Sequence, residues 1–92
     1  MIFNLNGKEY ETKEVTFGEV VKMERCGVNF NAIDSKSFTQ ALAMIVYITK
    51  LSIDKVQREI DEHLEKGGNI EDIFKCFEVL TESDFFKKVG AK

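Results

Sequence analysis

Apolar positions along the 92 residues first alternate and then recur at helical spacing, broken by stop and cap signals that mark the elements. Ile2-Phe3-Asn4-Leu5 and Lys8 to Thr12 alternate about Asn6-Gly7, the dipeptide best suited to the positive φ angles of a type I′ turn, which predicts a hairpin over residues 1–13. Phe3, Leu5 and Tyr10 then share one face, and an isolated hairpin needs that face covered by helices. From Thr16 the period lengthens to that of a helix. Thr16 is placed to cap, with Glu19 reaching back to its amide, and Gly27 to stop a helix over Phe17–Cys26. Phe17, Val20, Val21 and Met23 form its apolar side, of which Phe17, Val20 and Val21 are expected to hold the hairpin to the core, whereas Lys22, Glu24 and Arg25 face water.

Val28, Phe30 and Ile33 are spaced to anchor a connecting loop, after which Asp34 or Ser35 opens a second helix from about Lys36 to Lys50. Phe38, Ala41, Leu42, Met44, Ile45, Val46, Ile48 and Leu51 leave that helix apolar almost all round, so it is either central or partly covered by another chain. Ser52 caps a third helix over Ile53–Lys66, with Ile53, Val56, Ile60 and Leu64 as a narrow stripe and Asp54, Glu59, Asp61, Glu62 and Glu65 towards water. Gly67-Gly68 ends it, and Asn69 caps a fourth helix over Ile70–Leu80 carrying Ile70, Ile73, Phe74, Phe77 and Leu80. Residues 81–92 form a short helix capped by Ser83 or a mobile tail. The expected fold is therefore α+β, mainly α: one domain over 1–92, with the hairpin packed on a helical core, residues 16–80, of about four helices.

Composition narrows the function more by exclusion than by signature. Eight Phe and no Pro belong to a folded chain. Ser52 to Asp84 carries ten acids against four bases, which would repel a phosphate backbone and argues against nucleic acid as a partner. The longest apolar run, Ala41 to Ile48, is far below the roughly 20 residues that span a bilayer, so no membrane insertion is expected. Two cysteines fifty residues apart, Cys26 and Cys76, and an N-terminus that enters a strand directly read as a reduced cytoplasmic protein.

Candidate chemistry is sparse. His63 is the one histidine, and nothing in the spacing brings Cys26 or Cys76 beside it as an activated nucleophile, so it reads as a surface residue. Glu59 and His63 share a helical face but supply two ligands where zinc takes three or four, and they read as an incidental pair. No catalytic residue, cofactor or metal is expected. Both cysteines read as small buried hydrophobes. What remains is apolar surface: Phe38, Met44, Tyr47, Phe85 and Phe86 are too many for so small a core, which makes them the candidate partner-binding residues.

The hairpin, the segment T-F-G-E-V-V-K-M-E-R-C-G-V from Thr16 to Val28, S-F-T-Q-A-L-A-M-I-V-Y-I from Ser37 to Ile48, the acidic helix and E-S-D-F-F from Glu82 to Phe86 together resemble the tail assembly chaperones of long-tailed bacteriophages and prophages. Phe17, Val20, Met23, Glu24, Gly27 and Val28 match that family's first helix and stop, and the similarity runs from about Leu5 to Phe86. The resemblance implies a protein that is not an enzyme, binds the long helical tape measure protein during tail morphogenesis and helps recruit tail tube subunits. It also implies a longer form made by ribosomal frameshifting, for which Lys87-Lys88 is the candidate position. A small cytosolic structural or regulatory protein that homodimerises through its apolar second helix is the alternative reading.

Overall fold

A computed structural model of the chain describes residues 1–31 and 36–83. Strands β1 (Ile2–Leu5) and β2 (Lys8–Glu11) pair antiparallel with Phe3 opposite Tyr10 and Leu5 opposite Lys8. Asn6 and Gly7 both take positive φ, 52° and 78°, as a type I′ turn requires. Thr12 extends the ladder by donating its amide to the Met1 carbonyl at 3.0 Å. Phe3 and Leu5 are fully buried and Tyr10 is half-buried against the core, so the alternation read from the sequence sets the inner face.

Helix α1 (Phe17–Cys26) starts where Thr16 Oγ1 accepts the Glu19 amide at 3.3 Å. It ends in a Schellman motif: Gly27, at φ 112°, donates to the Glu24 carbonyl, and Val28 donates to that of Met23. Val28 and Met23, the hydrophobic pair that accompanies this motif, are both buried. Two expectations for α1 need correction. The Glu19 carboxylate does not close a capping box, because Tyr47 and Lys22 take its oxygens instead. Phe17 does not hold the hairpin to the core; it is 64% exposed, and the hairpin packs chiefly on the helices that follow α1.

Helix α2 (Phe38–Thr49) is capped by Ser37, whose Oγ accepts the Gln40 amide at 3.3 Å, so the cap lies two or three residues later than expected. Asp34, Ser35 and Ile33 lie outside the described residues. Ala41, Ala43, Met44, Ile45 and Ile48 are buried, with α1, α3 and the fourth helical segment all packing on this one rod. α3 (Ile53–Glu65) follows Ser52, which accepts the Lys55 amide at 3.2 Å, and closes with a second Schellman pair from Gly67 and Gly68 onto Leu64 and His63. Of its expected stripe, Val56 is buried, Ile60 and Leu64 are half-buried and Ile53 is exposed.

Residues 70–81 form the fourth helical segment, in three pieces rather than one: α4 (Ile70–Phe74), a 3₁₀ turn (Lys75–Phe77) and α5 (Glu78–Thr81). Ile73, Cys76, Phe77, Val79 and Leu80 are buried. Ile73, Cys76, Phe77 and Leu80 keep the i, i+3, i+4, i+7 spacing of a helical face, and Val79 widens the buried arc. No helix among the described residues is long and apolar enough to cross a membrane.

Candidate functional site

Helix α2 leaves its mark on two surface hollows, one on either side. Phe38 and Tyr47 are nine residues apart, about two and a half turns, and so lie on opposite sides of the rod. Phe38 stands 67% exposed on the side of α3 and α4. There a groove of about 270 Å³ is lined by Phe38, Ala41, Leu42, Ile60, Ile70 and Ile73, with Gln57 and Asp61 at its edge. The Phe38 ring leans on Phe74 with centroids 5.4 Å apart and planes tilted by 40°, a favourable geometry for an aromatic pair. Ile70 and Ile53 add exposed apolar surface from the first turns of α4 and α3.

Tyr47 faces a hollow of about 360 Å³ between β2, α1 and α2, lined in part by Cys26, Val46, Leu51, Lys13, Lys22 and Lys50. Its hydroxyl donates to Glu19 Oε1 at 2.6 Å, and Lys22 donates to Oε2 at 3.1 Å. Partial burial, then the bond to Glu19, pushes the Tyr47 hydroxyl well above the ordinary tyrosine range. The same bond, followed by that from Lys22, holds the Glu19 carboxyl below the usual carboxylate range. Tyr47 therefore ties α2 to α1.

Met44 is the clearest correction. It is 0% exposed in the middle of the core, and its unbranched side chain fills internal space instead of meeting a partner. Phe85 and Phe86 lie outside the described residues. Of the three candidates among the described residues, Phe38 and Tyr47 each line a surface hollow, and Phe38 is the more exposed of the two.

A polar cluster that the sequence reading treated as incidental joins the hairpin to the helices. Asn6 at the tip of the turn donates its amide to His63 Nδ1 at 2.9 Å and its side-chain nitrogen to Glu59 Oε2 at 2.6 Å and Glu62 Oε2 at 2.8 Å. Lys8 donates to Glu59 Oε1 at 2.8 Å. Since Nδ1 of His63 accepts, its proton sits on Nε2, which donates to Asp72 Oδ2 at 3.1 Å. Asp72 Oδ2 also accepts the Asn69 amide at 3.1 Å, so the start of α4 is tied to the same cluster. Glu59, expected in water, is 8% exposed, and His63 is half-buried. The i, i+4 spacing that suggested a ligand pair instead grips a β-turn. Bonds from Lys8 and then Asn6 hold the Glu59 carboxyl low, and the bond from His63, then that from Asn69, does the same for Asp72.

Among the described residues no group of three or more His, Cys, Asp or Glu side chains is arranged to hold a metal ion. Cys76 is fully buried, and burial pushes its thiol up to about 12, so the thiolate needed for nucleophilic chemistry is scarce. Cys26 is half-buried, short of the fully buried position expected. Comparison with family models, with curated proteins and with solved structures finds no match for this chain.

Proposed function

We propose that this protein is a non-enzymatic tail assembly chaperone of a long-tailed phage or prophage, which acts in the host cytoplasm, keeps helical segments of the tape measure protein soluble and helps bring tail tube subunits to them. The observation that carries this reading is the groove beside Phe38, apolar on its floor and open to solvent. An amphipathic helix is read by such grooves through anchors spaced at i, i+3 or i+4 and i+7. The sequence resemblance supplies the identity of the client; the groove supplies a surface on which a helix fits. Ala41, Met44, Ile45 and Ile48 of α2 are covered within the domain, which leaves exposed Phe38 as the surface a second copy would have to use in the homodimer reading.

The test is co-expression with overlapping segments of the tape measure protein encoded beside this gene. At least one segment co-purifies with the wild type and fails to co-purify with Phe38→Asp. A coding neighbourhood with no tube or tape measure gene, or segments captured equally by both forms, overturns the proposal. A tight dimer indifferent to every segment would favour the homodimer instead.

A further inference from the structure

We infer that the groove takes a cationic amphipathic helix, apolar along one stripe and flanked by Lys or Arg. This rests on the reading of the groove as the client site and adds the charge of the client. The floor and walls are apolar, and Asp61 is the single charged residue among the described lining. Around α3, residues Ile53, Gln57 and Ile60 turn towards the groove while Val56, Glu59 and His63 turn to the core and hairpin. The next stripe outward is Asp54, Arg58, Asp61 and Glu65, all exposed and acidic in balance. Glu71 and Glu78 border a neighbouring hollow with Phe74, Lys36 and Lys75, where Lys75 faces Asp72 at 3.6 Å. A helix seated on the apolar floor thus presents its α3-side flank to Asp61 and the acidic stripe beyond it. Complementary rim charges act chiefly on encounter rate and on rejection of the wrong partner, so an anionic helix with the same anchors is disfavoured.

Two synthetic helical peptides with identical Leu anchors at i, i+3 and i+7 provide the probe, one flanked by Lys and Arg and the other by Glu. Titrated into the full chain, the cationic peptide binds about tenfold more tightly, an advantage that shrinks as salt screens the exposed charges. The double variant Asp61→Lys, Glu65→Lys, at exposed positions that leave the helical circular dichroism unchanged, loses that preference or reverses it. Equal affinities for the two peptides, both abolished by Phe38→Asp, overturn the charge inference and leave the groove reading standing. Failure of both peptides to bind overturns the groove reading and this inference together.

Discussion

Glu59 carries the clearest single-residue energetics in the molecule. Its two oxygens receive Lys8 and Asn6 while the side chain is nearly buried, so truncation strands the donor groups of a β-turn instead of merely removing a surface charge. Glu59→Ala is expected to cost roughly 1.5 kcal/mol by denaturant unfolding, part of the turn's hold being kept by Glu62. The carboxyls of Glu59, Asp72 and Glu19 are all held below their ordinary range. A carboxyl depressed in the fold binds its proton less readily than in the unfolded chain, so its contribution is complete above pH about 4.5 and is lost as pH falls below that. Glu59→Gln keeps the shape and removes one of these titrations. Unfolding curves taken across the acid limb should show a shallower loss of stability for Glu59→Gln than for the wild type, and parallel losses would show that Glu59 titrates alike in both states.

At the scale of elements, the close of α3 shows how one residue type serves two purposes. Gly67 has φ 94° with open space where a side chain would stand, so Gly67→Ala meets only the left-handed backbone cost, about 1 kcal/mol. Gly68 needs no positive φ, but a methyl group there would overlap the His63 ring and stand 2.7 Å from the His63 carbonyl. Gly68→Ala should therefore displace the ring from Asn6 and Asp72 and cost about 2 kcal/mol, of which His63→Ala relieves the share due to the ring and leaves the share due to the carbonyl. Additive costs in that double-mutant cycle would mean the glycine acts on the backbone alone. Sequence reading found the stop but not this close approach, which depends on where a ring from the preceding turn comes to rest. It also found the Asn6-Gly7 turn and the Thr16, Ser52 and Gly27 signals, because each is decided by contacts within a few residues. Glu59 and Phe17 were misread for the opposite reason: polarity sent one to water and apolarity sent the other to the core, whereas tertiary placement decided both. The available signal was position 59 itself, three residues past Val56 and four before His63, on the inner side of α3 and level with a turn rich in donors.

For the whole molecule, the division between core and working surface runs through α2, and two residues of that helix test where it falls. Met44 and Phe38 are both large, apolar and six residues apart, yet one is 0% and the other 67% exposed. Deleting a fully buried methionine side chain leaves a cavity that the surrounding close-packed core fills only in part, so Met44→Ala should destabilise the fold by about 2 to 4 kcal/mol. Phe38→Ala removes a ring whose one described aromatic partner is Phe74, and its cost should stay near or below 1 kcal/mol. Binding reverses the order, because exposed aromatic anchors dominate the energy of an interface while core residues contribute only by keeping the surface in shape. Under conditions in which both variants are folded, Phe38→Ala should weaken capture of a helical client at least tenfold and Met44→Ala should leave it nearly unchanged. Unfolding midpoints and client affinities measured on the same preparations check both halves. If Met44→Ala loses affinity while folded and Phe38→Ala does not, the working surface lies away from the α2–α3–α4 groove, and the chaperone reading loses the observation that carries it.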